Sequence, residues 1–106
     1  MPRHPRVRDY QAKFENWVYL TCRRTTFRRY ATALNAFFSH FPAKKRVKDF
    51  TFEDVERYRS LRSGEAISSK TIDFEIAVVR AFYNWMLEKS IALNNPTLHP
   101  EEPASP

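Results

Sequence analysis

Four kinds of residue in this chain could do chemistry: three histidines, one cysteine, a few adjacent carboxylates, and two clusters in which hydroxyls stand beside cations. His4, His40 and His99 are isolated, with no second histidine or cysteine three or four residues away, so they lack the spacing of a metal site. Cys22 lies beside Arg23 and Arg24, which could lower a thiol pKa, but it has no partner thiol and reads as a bystander. Glu53 with Asp54, and Glu101 with Glu102, fall at a helix start and in a tail, where the helix dipole and water account for them without catalysis. The single glycine, Gly64, cannot build a phosphate-cradling loop. No cofactor, metal, small-molecule ligand or active site is expected.

The hydroxyl and cation clusters point elsewhere. Arg23, Arg24, Thr25, Thr26, Arg28 and Arg29 gather at the amino end of one expected helix, and Ser68, Ser69, Lys70, Thr71 and Asp73 at the amino end of another. Helix amino termini present free N–H groups, and with cationic side chains around them they suit phosphate contact. Lys44 and Lys45, in the connection AKKRVKD, extend the set. The net charge of +6 conceals a division: residues 1–48 hold twelve Lys and Arg against two acids, and residues 49–106 hold six against ten. A basic half of this kind favours a polyanionic partner, nucleic acid or an acidic membrane surface, although a charged face is often only a solvated one.

Helices must position these residues. The chain has 106 residues, 42% of them hydrophobic and 15% aromatic, enough for one small core, and its lone glycine argues against a turn-rich β architecture. A single cysteine excludes an internal disulfide and suits a reducing, cytoplasmic setting, nucleoid-associated if the partner is DNA. No apolar run approaches the length of a membrane span. After a proline-broken basic arm at 1–8, Asp9 can cap a first helix reaching about Cys22, with Tyr10, Phe14, Trp17, Val18 and Thr21 on its inner stripe. Thr25 or Thr26 can cap a second, with Phe27, Tyr30, Ala31, Leu34, Phe37, Phe38 and Phe41 inward and Arg28, Arg29, Thr32, Asn35 and Ser39 outward, ended by Pro42. Phe50, Thr51, Asp54 and Val55 form a staple and capping-box start for a third, from Phe52 to about Leu61, stopping near Gly64. Ser68 or Ser69 opens a fourth, with Ile72, Ile76, Val79, Tyr83, Met86 and Leu87 inward and Lys70, Asp73, Ala77, Asn84 and Arg80 outward, running to Ser90. The expected class is all-α, a compact bundle of four main helices. HPEEPASP reads as linker.

The segment SSKTIDFEIAVVRAFYNWMLEKSIALNNP resembles the end of the core-binding, SAM-like domain of tyrosine recombinases and phage integrases. In that family a Ser/Thr-rich turn opens the last helix, a Leu-Arg-x-Phe-Phe/Tyr-x-Trp/Phe-Leu pattern fills it, and a turn with isoleucine leads to Asn-Pro. Here Ser68, Ser69 and Thr71 are followed by Val79, Arg80, Phe82, Tyr83, Trp85 and Met86, then by Ile91, Asn95 and Pro96. TTFRRYATALNAFFSHF looks like the family's second helix and KRVKDFTFEDVERYRSLR like the start of its third. Phe74 and Glu75 depart from the pattern, standing where the family often carries polar or basic residues.

The resemblance spans residues 9–96 and implies two helical pairs packed crosswise, arching over one side of a DNA duplex while a separate carboxy-terminal catalytic domain clasps the other. It implies that helices two and four address the major groove, through Thr25, Thr26, Arg28 and Arg29 and through Ser68, Ser69, Lys70, Thr71 and Asp73. It implies other protomers as partners in a DNA-dependent tetramer, residues 97–106 as the start of the interdomain linker, and no strand cutting by this chain, because nothing in it resembles the family's His-x-Leu-Arg box. The competing expectation is a helical module that docks its basic half on an acidic protein or on RNA, with Tyr19, Phe74 and Trp85 as exposed aromatic contacts.

Overall fold

Four α-helices carry the chain in the computed structural model, which describes residues 5–98: α1 (Val7–Thr21), α2 (Arg24–Ser39), α3 (Phe52–Gly64) and α4 (Ser69–Glu88). A 3-10 turn at Val47–Asp49 interrupts the α2–α3 connection, and no β-strand occurs among the described residues. α2 packs most extensively on α4, α1 lies along α2 and touches α4, and α3 packs on α4, so the helical pairs cross over a shared centre. No helix among the described residues is long and apolar enough to cross a membrane.

The starts of α3 and α4 follow from local chemistry. Thr51 Oγ1 accepts from the Asp54 backbone N–H at 3.3 Å, and an Asp54 carboxylate oxygen accepts from the Thr51 N–H at 3.0 Å, so the expected capping box forms with Asp in the reciprocal position. Ser68 caps α4 by accepting from the Thr71 N–H at 3.2 Å. The other two starts differ from expectation. α2 begins at Arg24 behind Arg23, with no side-chain cap, so Thr25 and Thr26 lie inside its first turn. α1 begins at Val7, not at Asp9. Its first N–H is met from a distance: Val7 N–H donates to the Lys45 carbonyl at 2.9 Å, and in return Val47 N–H donates to the Pro5 carbonyl, just ahead of the helix, at 2.8 Å. This short antiparallel bridge between Arg6 and Arg46 fixes residues 5–8 against the body of the domain and leaves Val7 only 1% exposed. The remainder of the expected arm, residues 1–4, lies outside the described residues.

The helix ends show a second departure. Ala66 has φ 62° and Ser90 has φ 60°. In each case the left-handed residue closes a Schellman motif: Ala66 N–H bonds Ser63 O and Ile67 N–H bonds Arg62 O, while Ser90 N–H bonds Leu87 O and Ile91 N–H bonds Met86 O. The third helix does stop at Gly64, its last helical residue, but the strained left-handed position is taken by Ala66 two residues on.

The core joins Phe14 and Val18 of α1, Leu34, Phe37 and Phe38 of α2, Val55 and Tyr58 of α3, and Ile76, Val79, Phe82, Tyr83 and Met86 of α4. Phe41, Val47 and Phe50 close it from the α2–α3 connection. Burying these side chains stabilises the fold by roughly 1.5–3 kcal/mol each before chain entropy is counted. The two buried phenols have partners: Tyr83 donates to Val47 O at 2.8 Å and Tyr58 to Glu75 at 2.6 Å. The inner stripe of α1 is rotated from the expected one. Trp17 is 47% exposed and Thr21 is exposed, while Val7 and Gln11 face inward. Gln11 is satisfied there by Arg8, Glu15 and Asn35. At the carboxyl end Asn95 bonds Arg80 O and Asn84, and Thr97, also buried, bonds Asn95 and Arg80, so the folded part reaches past Pro96. The tail beyond residue 98 lies outside the described residues.

Candidate nucleic-acid interface

α2 and α4 run beside each other with their amino-terminal halves on one face, and there they frame an open groove of about 520 Å³ lined by Arg28, Arg29, Thr32, Ala33, Lys70, Thr71, Phe74 and Glu75. The helical phase of α2 explains the α2 side: with Ala33, Leu34 and Phe37 buried, Arg28, Arg29 and Thr32 are turned outward. On α4, Ile72 and Ile76 point to the core, which leaves Lys70 and Thr71 at the mouth of the groove and Phe74 half-buried within it. The Arg29 guanidinium lies 4.7 Å from the centroid of the Phe74 ring.

Glu75 would oppose an anion here if its charge were open, but it is not. Glu75 is 5% exposed, and its carboxylate accepts from Tyr58 Oη, from Arg62 Nε at 3.0 Å and from Arg62 Nη2. Burial, and then the hydrogen bond to Glu75, push the Tyr58 phenol well up, and the same carboxylate holds Arg62 firmly in its charged form. Asp73 is likewise engaged, by Arg59 at 2.7 Å on the surface. Arg28, Arg29 and Lys70 take part in no ion pair among the described residues.

The residues named from the sequence thus divide. Arg28, Arg29, Lys70 and Thr71 meet in the groove. Ser68 and Ser69 are exposed at the amino end of α4, with Ser68 occupied as its cap. Arg23, Arg24 and Thr25 are exposed at the amino end of α2 and Thr26 is half-buried, none of them lining the groove. Lys44 is half-buried and bonds Asp54 at 2.7 Å and Asp49 O at 3.2 Å, which makes it a brace for the cap of α3. Lys45 is exposed at the opposite end of α2, in a smaller cleft shared with Arg6, Arg8, Ser39 and Pro42. Sequence reasoning did not single out Arg6 and Arg8, because the charge run that contains them was read as a detached arm. Phe74 stands out in the sequence as a departure from the expected polar pattern and as a candidate exposed aromatic contact, but not as the wall of a groove beneath Arg29.

A family model described as phage integrase, N-terminal SAM-like domain, matches residues 12–90, a stretch running from the first turns of α1 past the end of α4. No curated protein and no solved structure matches the chain.

Proposed function

Because the chain belongs to the phage integrase N-terminal SAM-like domain family, with a role related to tyrosine recombinases, we propose that its α2–α4 groove lies against duplex DNA at a recombination site. The observation that carries this reading is the convergence of Arg28, Arg29 and Lys70, none of them in an ion pair among the described residues, on one groove whose carboxylate is neutralised from behind by Arg62 and Tyr58. In this reading Arg28 and Lys70 meet phosphate oxygens, the first turn of α4 adds backbone N–H groups beside Ser69, and Arg23 and Arg24 follow the same strand past the amino end of α2. Thr71 and Thr32 add hydroxyls that accept or donate as the bases require.

Strand cutting belongs to a separate catalytic domain of the parent recombinase. Two of the five tyrosines, Tyr58 and Tyr83, are buried, hydrogen-bonded and raised in pKa by burial, which makes them poor nucleophiles. Trp17, Tyr19 and Leu20, exposed together on the last turns of α1, suit contact with a neighbouring protomer on the DNA.

The reading is tested by titrating the protein with labelled duplex DNA, single-stranded DNA and RNA across a range of salt. Duplex binding should be strongest and should weaken steeply with salt, with a slope of about −0.9 in log K against log salt for each phosphate neutralised. Preference for RNA, or binding indifferent to salt, would favour the alternative of an RNA or protein-docking module.

A further inference from the structure

Arg29 differs from the other cations of the groove in having an aromatic platform. Phe74 lies beneath its guanidinium at 4.7 Å, and Phe74 is braced edge-on by Tyr30, with ring centroids 6.2 Å apart. A phosphate contact does not require such support, since a lysine ammonium on a flexible stem can make it as a point charge. A guanidinium held over a ring has fewer orientations to lose, and its five N–H donors stay in a rigid fork at the rim of the groove. That fork matches two acceptors spaced like those on one edge of guanine, O6 and N7, which the major groove displays. Phe74 adds apolar surface next to it, with Thr32 and Thr71 alongside, and the apolar group projecting from the base edges of the major groove is the thymine 5-methyl. Glu75, which might otherwise accept from a cytosine amino group, has its oxygens occupied by Arg62 and Tyr58.

We infer that Arg29 is a base-reading residue: it recognises a guanine in the major groove, with the methyl group of a neighbouring thymine seated against Phe74. This deepens the duplex-binding reading and rests on it. Arg28 and Lys70, which have no ring contact with Phe74, hold the backbone on either side.

The test begins with selection of bound duplexes from a pool with a randomised centre. In an enriched duplex, replacing the preferred guanine by 7-deazaguanine removes N7, and replacing the adjacent thymine by uracil removes the methyl. The wild-type chain should lose affinity about tenfold on the first change and roughly fourfold on the second. Arg29→Lys keeps the charge but not the planar fork: it should melt like wild type, keep the salt slope, and lose clearly less affinity than wild type does on the 7-deazaguanine duplex. Enrichment of no base preference, or wild-type discrimination by Arg29→Lys, would overturn the inference and leave the phosphate-binding groove standing. Failure to bind any duplex would overturn both.

Discussion

The α2–α4 groove and the α3 side of the domain carry cations of the same kind and use them in opposite ways. Around α3, Arg62 is held by Glu75 and Glu65, Arg59 by Asp73, and Lys44 by Asp54. Across the groove, Arg28, Arg29 and Lys70 have no carboxylate partner among the described residues. Paired charges inside a fold specify how helices sit; charges left facing water on a concave surface attract a polyanion. Glu75 serves both sides at once, since its pairing with Arg62 anchors α3 to α4 and removes a negative charge from the groove.

The comparison breaks most visibly at Glu75. Glu75→Ala leaves Arg62 and the Tyr58 hydroxyl without their buried partner and should cost about 3–5 kcal/mol, read as a fall in the urea midpoint at unchanged slope. Arg28→Ala, in the other region, should change stability by less than about 0.5 kcal/mol. It should also weaken duplex binding several-fold at low salt and make the salt slope shallower by about 0.9. A melting transition shifted by Arg28→Ala, or untouched by Glu75→Ala, would erase the distinction between the regions. Ala66→Gly relieves the left-handed residue at the end of α3 and should stabilise by about 1 kcal/mol, whereas a bulkier β-branched residue there should destabilise.

The smallest effect is one of pH. Burial alone would raise the Asp54 carboxyl, but hydrogen bonds from Lys44 and Thr51 outweigh it and hold the group below its ordinary value of 3.8. A depressed folded-state pKa means that ionised Asp54 contributes its stability above pH 3.8 and loses it as pH falls through the lower folded value. Unfolding followed from pH 6 down to pH 2 should therefore show a shallower acid loss in Asp54→Asn than in wild type.

What could be read from the sequence was what short range decides. The cap of α3 needs only Thr51 and Asp54, and the stripe of α2 needs only its own period, so both were legible. The misreadings trace to partners far along the chain. α1 starts at Val7 because Lys45 and Val47 meet it from the other side of α2, and no local pattern around Asp9 reveals that. The same pairing turned a supposed arm into part of the fold. Nothing around Lys44 reveals that Asp54 is its partner, and nothing around Glu75 reveals that Arg62, thirteen residues earlier, closes on it. Trp17 sat within the apolar period of α1 but at the edge of what α2 and α4 cover. Ala66 carried no signal at all, since nothing in an alanine side chain favours a left-handed backbone. The groove was legible as two clusters; that they face each other follows only from how α2 packs on α4.

The most direct measurement follows backbone amide signals while a duplex is added to the isotope-labelled protein. The account predicts changes concentrated at residues 28–33 of α2 and 68–75 of α4. Changes clustered instead on α3, or around Trp17 and Leu20, with the groove residues silent, would contradict it.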